Sequence, residues 1–380
     1  MPDEGKKEEY KQAALQRNTH TEAVLKSPST KKIVVAGPGT GKTTLFGKLL
    51  ESRKGDGEAI TLTFINALVD DLSLGLFGLS EVKTLHGFAA TFLKKEIGAK
   101  IFPKLPELIT EDAEVLLGEE DINFGELFHD HENEGKYIDF YKSRKNFYGK
   151  YYGFPDIVFA LVKYLIQHKN KIPEYEQIIV DEFQDFNKVE VELIDLLTQK
   201  SPILIAGDDD QSLYIDLKNA DPDHIRTKHG KLCPDYASFP LPYCSRCTRV
   251  IVDASNDIVT AAKNAGLLKN RIDKPYLYFP CESKDKESDI NPRIVYSQMF
   301  EKTIPNFILN QITDIAEKER RSFQVLVIMP PQLKKFSLPY IVNALRKKGF
   351  KNIISPEGFE KIPTLLDGLK ILLDLKQGEN

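Results

Sequence analysis

Short apolar runs alternate with longer segments of period three to four along most of this chain. Ile33-Val34-Val35-Ala36, Ala59 to Phe64, Gln177 to Glu182 and Ser201 to Gly207 are apolar, largely β-branched stretches that stop at polar or glycine residues. That pattern predicts strands buried on both faces. Glu81 to His86 predicts a further short strand. Helical spacing predicts one or two helices over residues 4–28, with Leu15, Ala23, Val24 and Leu25 as apolar contacts. Further helices are predicted from Thr44 to Leu50, over 66–76, from Phe88 to Ile97, over 156–168 and through Val189, Leu193, Leu196 and Leu197. Strands alternating with helices, with polar residues at the strand ends, predict an α/β fold with a parallel, doubly wound sheet. Ligands of such sheets bind at the carboxyl ends of the strands, where Lys42, Asp181 and Asp208 would converge.

The pattern changes twice. From Ala99 to Gly153, Pro103 and Pro106 interrupt, Glu111 to Glu134 is acidic, and Lys136 to Tyr152 is basic and aromatic. This reads as an insertion into the α/β framework. After a helix from Arg249 to Ala265, the stretch Lys274 to Pro292 is rich in Pro, Lys, Asp and Ser and reads as a loop. A second α/β unit is predicted beyond it. Its strands are Asn291–Tyr296 and Gln324–Met329, and its helices cover 303–319, 338–348 and Leu365 to Leu375.

At 380 residues and 41% apolar content the chain can hold two to three domains with real cores. The formal net charge of -4 gives no global attraction to nucleic acid, although a local basic groove remains compatible with it. Cys233, Cys244, Cys247 and Cys281 are too sparse for a secreted disulfide scaffold. One Cys-x-x-Cys pair reads as small buried thiols ahead of a zinc site. No apolar run reaches the length of a membrane span, and the charged start is unlike a signal peptide. A soluble, cytoplasmic protein is the expectation.

The chemistry begins where the first strand breaks into Gly37-Pro38-Gly39-Thr40-Gly41-Lys42-Thr43-Thr44 and continues as a helix. A strand, a glycine turn and a helix N-terminus form a phosphate cradle of backbone N–H groups. Lys42 would reach the β and γ phosphates of a nucleotide, and the Thr43 hydroxyl would ligate magnesium. Ala36 stands where the pattern has its first glycine. Asp181 and Glu182 end a buried strand some 140 residues on, which suits a carboxylate for magnesium and a general base for the attacking water.

Val180-Asp181-Glu182-Phe183-Gln184-Asp185, with Gly207-Asp208-Asp209-Asp210-Gln211-Ser212-Leu213-Tyr214, resembles the superfamily 1 helicases of the UvrD/Rep/PcrA type. Thr63-Phe64-Ile65-Asn66, Thr84-Leu85-His86-Gly87-Phe88 and Tyr243-Cys244-Ser245-Arg246-Cys247 fall in that family's order. The resemblance implies a RecA-like P-loop fold, with ATP and Mg2+ as cofactors and single-stranded or partly duplex DNA as partner. By its implication Lys42, Thr43, Asp181, Glu182, Gln211 and Arg246 form the nucleotide site. Gln211 would sense the γ phosphate, and Arg246 would contact it from the far side. Phe64, Asn66, His86 and Tyr214 would lie along the DNA strand. It also implies a first RecA-like domain in two parts, 1–95 and 171–272, around a helical accessory domain at 96–170, with 273–380 opening a second RecA-like domain.

Some positions depart from the family. Ile215 to Asn219 lacks the expected aromatic-Arg-Gly, Ala67 replaces a lysine, and Ser245 replaces an adenine-stacking tyrosine that Tyr243 could supply. Gln16 is a candidate for reading adenine. The family's later motifs have no counterpart, so the chain reads as a fragment of a longer helicase or a short natural form. The functional expectation is an ATP-dependent helicase or translocase on single-stranded DNA. The alternative is a nucleotide-gated binding module with little unwinding activity.

Overall fold

The computed structural model describes residues 4–354, apart from 54, 56, most of 120–136, 216–218, 231–232, 319–323, 329–337 and 351–352. It divides into two compact units, Met1–Pro292 and Arg293–Asn380.

The first unit is built on six parallel strands: β1 (Lys31–Ala36), β2 (Ala59–Thr63), β3 (Glu81–Thr84), β6 (Gln177–Val180), β7 (Ile203–Gly207) and β8 (Ala237–Leu241). Their order across the sheet is β3-β2-β6-β7-β1-β8. Two-residue pairs, β4 (Lys100–Ile101) with β5 (Tyr151–Tyr152) and β9 (Tyr243–Cys244) with β10 (Leu277–Tyr278), lie outside it. Successive side chains of a strand point to opposite faces, and each face has its own core. Ile33, Val35, Ile178, Val180, Ile203 and Ile205 enter one. Val34, Ala36, Ile179, Leu204 and Ala206 enter the other. Burial on both faces explains why these strands are continuously apolar.

The helices in chain order are α1 (Glu4–Lys26), α2 (Lys42–Glu51), α3 (Asn66–Gly75), α4 (Leu85–Ile97), α5 (Leu105–Leu117), α6 (Ile138–Tyr148), α7 (Phe154–Gln167), α8 (Lys188–Leu197), α9 (Asp223–Lys228), α10 (Arg249–Asn264) and α11 (Glu282–Ile290). In the inserted stretch, Leu105, Ile109, Ala113 and Tyr141 join the same core as one face of the sheet. Arg144 and Tyr148 bind Asp112, tying α6 to α5.

In the first unit one strand is unanticipated and three expectations need correction. No strand is predicted at 237–241, and Pro240 is a residue that central strands exclude. β8 bonds only to β1, and an edge position tolerates a residue without an N–H. The stretch 274–292 holds β10 and α11 instead of a loop. Leu15 and Ala23 of α1 are exposed, and Ala13 and Val24 are the buried contacts. Of the four free cysteines only Cys244 is buried.

In the second unit α12 (Ile304–Lys318) and α13 (Leu338–Lys347) form as expected, with Ile341, Val342 and Leu345 buried. The expected strands do not form: 291–296 and 324–328 pair with nothing among the described residues. An apolar run needs a neighbouring ladder before it becomes a strand, and Leu326 and Ile328 are exposed. The helix expected from Leu365 to Leu375, and Met329, lie outside the described residues.

Candidate functional site

β1 ends in the glycine turn and α2 begins at Lys42. Gly39 and Gly41 have φ of 71° and 96°, the left-handed region where a side chain is strained. The three glycines are also crowded. A Cβ on Gly37 would come within 2.8 Å of the Tyr276 ring, and one on Gly41 within 2.8 Å of the Arg17 guanidinium. One on Gly39 would fall on the Cβ of Arg246. Thr40 donates to the Gly37 carbonyl at 2.8 Å and closes the turn. Thr43 and Thr44 are exposed at the start of α2. A helix N-terminus with a glycine turn, a lysine and an open hydroxyl fits a polyphosphate and its divalent cation.

Lys42 and Glu182 meet at 2.8 Å, and Asp181 stands 3.7 Å from the same ammonium. Burial works against the Lys42 charge, but Asp181 and Glu182 raise its pKa above the ordinary value. Burial likewise opposes charge on Glu182, yet Lys42 and a hydrogen bond from Gln184 hold its carboxyl below the usual range. Burial pushes Asp181 up to about 6, against the attraction of Lys42. Glu182 has φ 53° and ψ 45°, a left-handed conformation that costs a non-glycine residue on the order of 1 kcal/mol. Such strain persists only where the surroundings hold it.

Gln184 links the neighbouring segments. Its Nε2 donates to Glu182 at 2.9 Å, and its Oε1 accepts the Asp208 N–H at 2.9 Å. Asp208 in turn accepts from Gln211 Nε2 at 2.5 Å. Lys42, Asp181, Glu182 and Gln211 therefore occupy one connected edge at the carboxyl ends of β1, β6 and β7. Arg246 is exposed, and the backbone beside it grips the cradle: the Ser245 N–H donates to the Gly39 carbonyl at 3.0 Å.

Next to the cradle lies a group that only Gln16 and Tyr243 signalled in the sequence. The Tyr243 hydroxyl bonds Gln16, and its ring meets Phe279 edge-on at 6.3 Å. Arg17 sits 4.9 Å above the Phe279 ring. Tyr276 donates to the Pro38 carbonyl at 3.0 Å. Phe279, Tyr276 and Arg17 carried no motif of their own. They arrive through α1 and through the pairing of β10 with β9.

The residues expected along a strand of DNA are placed unevenly. Asn66 is exposed as the first residue of α3, and Tyr214 is half-buried. Phe64 is buried and packs 4.9 Å from Tyr214 and 5.8 Å from Phe186. His86, half-buried, has Nδ1 3.7 Å from Glu190 of α8. Among the described residues, the one cluster of three side chains able to hold a metal is Asp208, Asp209 and Asp210. No helix among them is long and apolar enough to cross a membrane.

A family model described as an AAA domain matches residues 20–216, more than half of the chain. Over 167 residues the chain is 25% identical to a protein of Mycoplasma genitalium named "Probable DNA helicase II homolog", covering 41% of this chain and 21% of the relative. Over 157 residues it is 26% identical to a Bacillus subtilis protein named "Putative ATP-dependent DNA helicase YjcD", covering 38% and 20%. The chain thus spans about a fifth of the length of these relatives. With the parallel sheet, the glycine cradle and the carboxylates at the end of β6, these matches show that the chain belongs to the AAA domain family, and they support its resemblance to the N-terminal portion of the UvrD/Rep-type helicases.

Proposed function

We propose that this chain supplies the nucleotide-binding domain of a DNA helicase or translocase that hydrolyses ATP while moving on single-stranded DNA. The observation that carries the reading is the meeting of Lys42, Asp181 and Glu182 at the ends of two parallel strands, beside a glycine cradle. Backbone N–H groups of residues 37–44 and the Lys42 ammonium would bind the phosphates. Thr43 and Asp181 would hold Mg2+, which supplies charge neutralisation for the phosphate oxygens when bound. Lys42 would then exchange Glu182 for phosphate oxygens and release that carboxylate. Glu182, kept ionised, would take the proton of the water that attacks the γ phosphorus. Gln211 would orient at that phosphate and Arg246 would neutralise charge from the open side. Tyr243, Phe279 and Arg17, with Gln16, suit a planar base at the cradle's edge by stacking and hydrogen bonding.

On the DNA side Tyr214 offers a partly open ring against Phe64, and Asn66, exposed at the start of α3, and the half-buried His86 would add polar contacts. Stacking on an aromatic is worth about 1–3 kcal/mol per base and is sequence-tolerant. The inserted residues 96–170 would act as an accessory domain, with the exposed Phe147 ring beneath Arg144 at 4.7 Å on its surface.

The test is nucleotide binding and ATPase activity with and without single-stranded DNA. Lys42→Ala should abolish binding. Glu182→Gln should keep binding and lower turnover by about 100-fold or more, the usual contribution of a general base. ATPase activity that ignores DNA would sink the translocase. Binding of both ligands without strand displacement would favour a nucleotide-gated binding module.

A further inference from the structure

Three carboxylates stand together where β7 ends, yet a cation of the chain's own fills the space between them. Lys274 Nζ lies 2.5 Å from Asp208 and 3.0 Å from Asp210, and it also contacts Asp209. Lys274 is nearly buried, as are Asp208 and Asp209. Three carboxylates this close repel one another strongly in a low-dielectric setting. Arg226 pairs with Asp209 at 3.0 Å and Arg271 with Asp210 at 2.7 Å, so Lys274, the cation shared by all three, is the one that offsets the charge of Asp208.

The segment around Lys274 is fastened at several further points. Arg271 grips Asp210 with two bonds of 2.7 and 2.8 Å. The Ile272 N–H donates to Asp209 at 2.9 Å. Asn256 of α10 donates to the Tyr276 carbonyl at 2.9 Å. The Tyr276 ring lies on Gly37, and its hydroxyl binds the Pro38 carbonyl. Residues 271–276 thus form a strap, with Lys274 in the acidic cluster and Tyr276 on the phosphate cradle.

Asp208 joins this strap to the proposed chemistry. Its Oδ1 takes Lys274 and accepts the Asp210 N–H at 3.1 Å, and its Oδ2 accepts from Gln211. We propose that Lys274 is a positioning residue, whose ammonium fixes Asp208 so that Asp208 aims Gln211 at the terminal phosphate of the bound nucleotide. Without that charge, Asp208 would turn away from Asp209 and Asp210, and Gln211 would lose its anchor. Tyr276 ties the same strap to the cradle, so a shift of the phosphate loop reaches Gln211 through the strap as well as through Gln184. This inference rests on the nucleotide-site reading above and assigns Lys274 no contact with the nucleotide.

The experiment measures the affinities of a fluorescent nucleoside diphosphate and of a non-hydrolysable triphosphate analogue for the full chain. Their ratio reports sensing of the terminal phosphate. Lys274→Met should lower the ratio to that of Gln211→Ala while diphosphate affinity stays within about threefold, and the double variant should fall no further, as for residues acting through one another. Lys274→Arg, which keeps the cation, should restore the ratio. If Lys274→Met does not fold, Lys274→Met with Asp209→Asn removes one carboxylate charge from the cluster while Arg226 remains beside it, and carries the same expectation. Retained discrimination in the methionine variant, or additive losses with Gln211→Ala, would overturn the role of Lys274 alone. So would a wild-type protein that binds both nucleotides equally. A wild-type protein that binds neither would overturn the nucleotide-site reading, and this inference with it.

Discussion

Asp156 shows how a single buried charge can set a pH dependence. It stands in the first turn of α7, is buried, and accepts the Tyr141 hydroxyl at 2.6 Å. Burial pushes its pKa from 3.8 up to about 6, against the Tyr141 bond and the attraction of Lys145. Between about pH 4 and 6 the unfolded chain has released this proton and the folded chain has kept it, so stability falls as pH rises through that window. Above about pH 6 the full cost is present, on the order of 3 kcal/mol for a shift of about two units. Asparagine can still accept from Tyr141 and has no charge to desolvate. Asp156→Asn should therefore flatten the decline between pH 4 and 6 and raise stability at pH 7. Urea midpoints across pH check this, and parallel curves for the two proteins would refute it. At the edge proposed to bind the nucleotide, burial raises Asp181 in the same way, while Lys42 holds the Glu182 carboxyl below its usual range.

At the scale of elements, α8 begins with a local device that the apolar spacing of its sequence did not reveal. Asn187 accepts from the Glu190 N–H at 3.0 Å, and Glu190 accepts from the Asn187 N–H at 2.9 Å, a reciprocal capping box. Asn187→Ala should cost about 1 kcal/mol. It should also loosen Glu190, whose other oxygen faces His86. A thermal melt checks the first effect, and a shift in the His86 imidazole resonances checks the second. The apolar strands were legible because burial on both faces makes β1, β6 and β7 continuous runs, and the glycines and carboxylates at their ends mark where they stop. β8 was not legible, because its sequence is dictated by an edge position that tolerates Pro240. Tyr276 and Phe279 were hidden too. Their role comes from β10 pairing with β9, a contact between residues far apart in sequence.

On the scale of the whole molecule, the pieces of the proposed site and both cores fall before residue 293. Lys42, Asp181, Glu182, Gln211, Arg246 and the strap at 271–276 all lie in the unit Met1–Pro292, and so does every residue of the two hydrophobic clusters. The second unit was the least legible part. Gln324-Val325-Leu326-Val327-Ile328 has the composition of a central strand, but composition cannot provide a neighbouring ladder, and none is present among the described residues. A unit that holds its own cores should fold by itself. The chain truncated after Pro292 should therefore melt cooperatively and bind a nucleoside diphosphate within about threefold of the full chain, since every residue of the proposed site lies before residue 293. Calorimetry and fluorescent-nucleotide titration of the two proteins provide the comparison. A truncated chain that melts without a cooperative transition would mean that residues 293–380 complete the fold of the first unit. One that melts cooperatively and no longer binds would mean that they complete the nucleotide site.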